Sequence, residues 1–234
     1  MKVLKQSGQY LKKSSERYAV ALVILFLFGL PVVLFLFFTG GFLAWVLLVF
    51  ILMIIGGYLL YNWSSYHQGY RGEELVTRVL SCLDDRYYLI NDVKFSDGYG
   101  NVDHIVLGPN GVFVIETKNY VGQIICYGDE WSRRYVGRRT STYPLKSLSK
   151  QAKRNAIRIK RLIDTIQSLK PLNIWVDALL VFVNPNVNLH INSPTVPVLK
   201  IDELCNYIRN KKSKIIFSPQ ELESIGNVIL NHAR

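Results

Sequence analysis

The sequence has little cysteine or histidine and arranges neither for metal binding. Its three cysteines, Cys82, Cys126 and Cys205, are far apart and form no Cys-x-x-Cys pair. That argues against a thiolate zinc site and a disulfide framework, and the expectation is three small core side chains in a reducing compartment. His67, His190 and His232 are isolated, which argues against a histidine zinc site. No glycine-rich phosphate loop is present, nothing groups a Ser–His–Asp or Cys–His set, and no internal repeat occurs.

Charge is absent from two long stretches. Ala19–Phe38 and Phe42–Leu60 contain no ionisable acid or base, and each can cross about 30 Å of hydrocarbon as a helix. Thr39-Gly40-Gly41 leaves room only for a tight turn between them. Pro31, inside the first stretch, is tolerated in a lipid-buried helix. Tyr18 at one end and Tyr58, Tyr61 and Trp63 at the other suit the membrane interface. A hairpin dipping into one leaflet fits the same length. With no polar pathway the pair reads as an anchor. The flanks are basic and the turn is neutral, so the positive-inside rule predicts an integral inner-membrane protein with both termini and the soluble part cytoplasmic. The expected organisation is a basic segment 1–18, a hairpin 19–61 with spans 19–38 and 42–60, a polar linker 62–68 and a domain 69–234.

Acids are also scarce. Seventeen Asp and Glu face 28 Lys and Arg, for a net charge of +11. Only +4 of that lies in the first 18 residues, where five bases face Glu16. The rest belongs to the soluble part and suggests an anionic partner, either nucleic acid or lipid headgroups.

The soluble part alternates helical and strand patterns. Leu75, Val76, Val79, Leu80 and Leu83 give helical spacing over 69–83. Strands are predicted over 87–93, 101–107, 112–118, 123–127 and 131–136, with Gly108-Pro109-Asn110-Gly111 turning a hairpin. A basic helix is predicted over 146–169, a buried strand over 174–183 and a short strand over 196–199. Asp202 caps a helix reaching Ile208, and Ser218-Pro219-Gln220-Glu221 opens a last helix to about His232. The sum is a mixed α/β domain.

The chemistry concentrates in Asn101–Leu107 and Val112–Asn119. Alternation puts Glu116 and Lys118 on the face begun by Val112 and Val114. Asp103 starts the neighbouring strand near their level. A charged pair ending an apolar strand is costly unless it is paired, solvated or metal-bound. Two carboxylates at such an edge can hold Mg²⁺ or Mn²⁺, with the Thr117 carbonyl as a further ligand. An ordinary cross-strand Glu–Lys pair is the plain alternative. His104 points to the opposite face and reads as structural.

Asp103 with Glu116-Thr117-Lys118 resembles the split signature of PD-(D/E)xK nucleases, with Val102 where the name has proline. Gly72-Glu73, Val102-Asp103-His104, Gly111–Asn119, Gly122, Trp131, Pro144 and Gln151-Ala152 together resemble the nuclease-related domain (NERD) family over roughly 69–183. The resemblance implies a restriction-endonuclease-like core (helix, three strands, helix, strand) behind the membrane hairpin. It implies metal-dependent phosphodiester hydrolysis, DNA favoured over RNA. Asp103 and Glu116 are expected to bind the metal and Lys118 to act on the nucleophile or transition state. Glu73 and Gln151 are expected to assist, although Glu73 also fits as an acid favoured near a helix start. From Trp131 to Ile163 eleven bases meet no acid. Arg133, Arg134, Arg138, Arg139, Lys150, Lys153, Arg154, Arg158 and Arg161 are the expected nucleic-acid contacts. Lys150, Arg154, Arg158 and Arg161 share a helix face, which anionic lipid would also suit. The rival expectation is a non-catalytic membrane-associated module that binds nucleic acid or lipid on the same fold.

Overall fold

A computed structural model describes residues 1–6, 9–95, 98–135 and 140–232. The chain forms two compact units, residues 8–71 and residues 1–7 with 72–234.

The first unit is a helical hairpin built from α1 (Gln9–Phe38) and the larger part of α2 (Phe42–Leu80). Gly40 adopts φ +79° in the turn, a conformation that glycine reaches without strain, and Thr39 Oγ1 closes the end of α1 on the Phe35 carbonyl at 3.0 Å. Gly29 faces Leu52 and Gly56 faces Leu25, so the helices approach closely where a side chain is missing. Both helices are long and apolar enough to cross a membrane. At about 1.5 Å per residue, the 30 residues of α1 outrun a 30 Å hydrocarbon layer by roughly two to three turns. The surplus holds Lys12, Lys13, Glu16 and Arg17, and Tyr18 stacks on Tyr66 of α2 with ring centroids 5.6 Å apart. Residues 62–68, expected as a linker, are helical and continue α2 without a break. Their polar composition marks a mostly half-buried stretch of helix here, not a loop.

The second unit is a mixed α/β domain. One sheet has the order β1-β2-β3-β4-β8-β10. Its strands are β1 (Lys2–Lys5), β2 (Tyr88–Lys94), β3 (Asn101–Gly108), β4 (Gly111–Lys118), β8 (Val176–Phe182) and β10 (Val198–Lys200). A second sheet, β7-β6-β5-β9, comprises β5 (Gly122–Tyr127), β6 (Glu130–Tyr135), β7 (Ser141–Leu145) and β9 (Val187–Asn192). The helices are the end of α2, α3 (Leu148–Ile163), α4 (Leu204–Asn210) and α5 (Pro219–His232).

Alternation along β4 sorts the core. Val112 and Val114 face α3 and α5 in a cluster with Ile159, Ile163, Ile225 and Ile229. Phe113 and Ile115 face α2 and α4 with Val76, Leu80, Leu204 and Ile208. The large sheet is therefore covered on both faces, as a parallel-containing sheet requires. Glu116 and Lys118 prolong the Val112–Val114 row and so meet α3.

Several elements differ from expectation. β1 lies in the segment read as a membrane flank; it pairs in parallel with β2, Lys2 opposite Tyr88. β7 was obscured by Pro144, which sits on an edge strand where its missing N–H costs little. β9 was also unforeseen. α3 ends at Ile163 with Asp164 as its cap, well before Leu169. Cys82 and Cys205, expected to be unpaired in a reducing compartment, form a disulfide with Cα atoms 6.6 Å apart, so the cysteines no longer argue for a reducing surrounding. A separation of 123 residues hid the pair, and only Cys126 is left as a buried free thiol.

Candidate active site

The end of β4 carries two polar residues that the core cannot leave bare. Glu116 is 2% exposed. Its Oε1 accepts from Lys118 Nζ and from Gln151 Nε2, each at 2.6 Å. Its Oε2 accepts from Asn155 Nδ2 at 3.0 Å. Lys118 also donates to Gln151 Oε1 at 3.3 Å. Gln151 and Asn155 lie one turn apart on α3, on the side that packs against the sheet. Asn155 in turn accepts from Arg158 Nη1 at 3.1 Å. Arg158 donates to the Gly100 carbonyl at 3.1 Å and lies 4.3 Å from the Phe95 ring centroid.

Asp103 comes from the neighbouring strand. One step beyond the His104–Ile115 pair, it stands across from Glu116. Its Oδ2 accepts from the Thr117 amide at 2.8 Å. Glu73 comes from α2. Gly72 before it is buried, and a Cβ there would lie 3.2 Å from Val183 and 3.4 Å from Asn119. Glycine thus lets the helix close on the ends of β4 and β8.

These acids crowd one another. Burial, and then the Asp103, Asp92 and Glu116 charges, push the Glu73 carboxyl up to about 9 against a smaller opposing pull from Lys118. Burial and Glu116 push Asp103 up to about 8, opposed by Lys118 and the Thr117 amide. Burial pulls Lys118 down, but the Glu116 and Asp103 carboxylates outweigh it and hold the ammonium above its ordinary range. The site therefore has more carboxylates than cations to balance them. Among the described residues no three His, Cys, Asp or Glu side chains form a ready cage for a metal ion.

Glu73, Asp103, Glu116, Lys118 and Gln151 thus interact through hydrogen bonds or charge. Sequence reasoning missed Asn155 and Asp92. Asn155 was findable as the residue one turn beyond Gln151. Asp92 acts on Glu73 and Asp103 from β2, and its φ of +51° departs from regular strand geometry. His104 is buried with Nδ1 2.7 Å from Asn91 Oδ1, and burial lowers its pKa to about 3, so it stays neutral.

The expected nucleic-acid contacts fare unevenly. Lys150, Arg154 and Arg161 are exposed on α3, and Arg134 is exposed on β6. Arg158 is 7% exposed and belongs to the Glu116 network. On a 3.6-residue helix it lies about 20° from Gln151 and about 40° from Arg154, so it falls on the inner edge of the supposed face. Lys153 is paired with Asp129 at 2.8 Å. Asp129 also accepts from Ser149 and Thr195, and these bonds hold it well below the usual carboxylate range. Arg133 is half-buried. Arg138 and Arg139 lie outside the described residues.

Residues 68–183 match the family model of the nuclease-related domain. An uncharacterized protein of Bacillus anthracis is 47% identical over 73 residues, 30% of this chain and 34% of the relative. The aligned part thus spans about a third of that relative's length. No solved structure matches the chain.

Proposed function

We propose that this chain, whose residues 68–183 are a nuclease-related domain, is a membrane-anchored, divalent-metal-dependent nuclease acting on DNA in preference to RNA. The core around the site is read as restriction-endonuclease-like. One observation carries the reading: Glu116 and Lys118, at the end of a buried strand and beside Asp103, form a hydrogen-bonded polar cluster with Gln151 and Asn155.

The donor set suits a hard cation. Carboxylate oxygens are the ligands Mg²⁺ and Mn²⁺ prefer, and such ions keep several waters, so a complete protein cage is not required. Burial first, and then the neighbouring carboxylates, raise the proton affinity of Glu73 and Asp103 more than Lys118 lowers it, so a divalent cation there would relieve the cluster. Asp103 and Glu116, with the Thr117 carbonyl, would hold the ion. When bound, it supplies Lewis acidity toward the phosphodiester and lowers the pKa of attacking water. Lys118, steered by Glu116 and Gln151, offers an ammonium to the charge that builds on the phosphate. Gln151 holds Glu116 in one orientation, and Asn155 with Arg158 keeps its other oxygen in place. Glu73, about two turns before the end of α2 and far from its start, supplies a further carboxyl that no helix-start preference accounts for. Lys150, Arg154, Arg161 and Arg134 provide phosphate contacts, with Arg138 and Arg139 as further candidates.

The anchor is α1 and α2, with the domain on the cytoplasmic face of the inner membrane. β1 precedes the hairpin and shares a sheet with strands that follow it. That connectivity supports both hairpin ends leaving the bilayer on one side, and the basic flanks favour the inside. Anionic lipid would then attract the same basic helix.

A non-catalytic binding module is favoured by one observation: both Glu116 oxygens are already occupied by Lys118, Gln151 and Asn155. The deciding experiment uses the full chain in detergent with plasmid and oligonucleotide substrates. Cleavage that requires Mg²⁺ or Mn²⁺ and falls at least a hundredfold in Glu116→Gln and Lys118→Met supports the nuclease. Variants cutting as fast as the parent would refute the assigned roles. Saturable Mn²⁺ binding without cleavage would favour the binding module.

A further inference from the structure

Beside Lys118 lies a group of rings and a guanidinium that phosphodiester cleavage does not use. Tyr120, two residues on, packs against Phe182 with centroids 6.3 Å apart. The Arg133 guanidinium lies 5.7 Å from the Tyr120 centroid and 4.5 Å from that of Tyr135. Its Nε donates to the Val121 carbonyl at 2.9 Å, which fixes it there. Tyr143 sits opposite Arg133 across β6 and β7 and meets Tyr135 edge-to-face at 6.0 Å.

Tyr135 and Tyr143 are 47% and 55% exposed. They are not needed for the core: the second sheet buries Ile124, Cys126 and Trp131 instead. Flat rings held in the open beside a fixed guanidinium fit a ligand with its own flat faces and negative charge. Bases within a duplex present only their edges, so such rings can accept a base only when it is unpaired. Tyrosine also suits a lipid interface, but a guanidinium held against two ring faces pairs flat surface with positive charge in the way a base and its phosphate require.

We propose that Tyr120, Arg133, Tyr135 and Tyr143 form a stacking site for unpaired bases, so that the protein takes single-stranded nucleic acid in preference to blunt duplex. The inference takes its significance from the reading of Glu116 and Lys118 as the cleavage centre, because the rings adjoin it.

The test uses full-length protein in nanodiscs, without divalent ions, and oligonucleotides carrying 2-aminopurine. Single strands should bind at least tenfold tighter than blunt duplex of equal length, with quenched fluorescence. Tyr135→Ala together with Tyr143→Ala should weaken single-strand binding roughly five- to a hundredfold, while the two phenylalanine variants retain it. Equal affinity for both substrates, or alanine variants that bind and quench like the parent, overturns the proposal. Binding that collapses in phosphatidylserine discs but not phosphatidylcholine discs, with the alanine variants abolishing the difference, assigns the rings to lipid and also overturns it. Adding Mg²⁺ afterwards separates the two ideas. Stacking without cleavage sinks the nuclease and leaves the ring site; cleavage without quenching or strand preference does the reverse.

Discussion

Filling the site with a divalent cation should expel protons, and the number is set by the crowding of its acids. Without metal, Asp103 titrates at about 8 and Glu73 at about 9. At pH 7 both carboxyls therefore stay largely protonated. A bound Mg²⁺ needs its ligand Asp103 ionised, and its charge beside Glu73 favours the ionised form of that carboxyl as well. Binding at pH 7 should release up to about two protons, and apparent affinity should be much weaker at pH 7 than above about pH 9. Isothermal titration of full-length protein in buffers of different ionisation enthalpy reads the proton count directly. The count should fall toward one between pH 8 and 9, and Glu73→Gln should remove about one proton at pH 7. Binding at pH 7 that releases less than half a proton would refute the placement of the metal among these acids.

The same groups set a pH dependence of stability in the metal-free protein. Their native pKa values lie above the ordinary carboxyl values of 3.8 and 4.5, so the native state holds more protons than the unfolded one across that interval. Stability should accordingly fall as pH rises from about 4 toward 9, and Mg²⁺ should reverse the trend; thermal melts without metal that rise over that range would refute it. Arg158→Ala should lower the melting temperature without changing the salt slope of DNA binding. Arg154→Ala should lower that slope by about 0.7–0.9 and leave the melt unchanged. Maleimide labelling of the denatured, non-reduced chain should count one thiol, rising to three after reduction, because Cys82 and Cys205 are paired; three before reduction would contradict the pairing.

What the sequence revealed follows from local pattern. Alternation along Val112–Lys118 set which side chains share a face, and the Gly-Pro-Asn-Gly turn brought Asp103 to the level of Glu116. The α3 contacts were half legible: Gln151 stood out, but Asn155 and Arg158 matter through long-range partners on β4, at Gly100 and at Phe95. A helical wheel shows which residues adjoin. It does not show where the buried face ends, and that boundary moved Arg158 from surface to core. The Cys82–Cys205 pair and β1 escaped for a related reason, since each depends on segments more than 80 residues apart.

The strand β1 alters the meaning of the hairpin as well. A membrane anchor added before a finished domain could be removed without touching the sheet. Here Val3 and Lys5 pair with Leu89 and Ile90, and Leu4 lies where a Cβ on Gly226 of α5 would reach it at 3.0 Å. The hairpin is an insertion between one edge strand and its neighbour. Cutting the chain after Arg71 would strip the sheet of that strand and expose the unpaired edge of β2, a template for unwanted pairing. Substrate tests on such a fragment would confound loss of the apolar hairpin with loss of the sheet edge. The full chain is therefore the form in which the chemistry of Glu116 and Lys118 has to be measured.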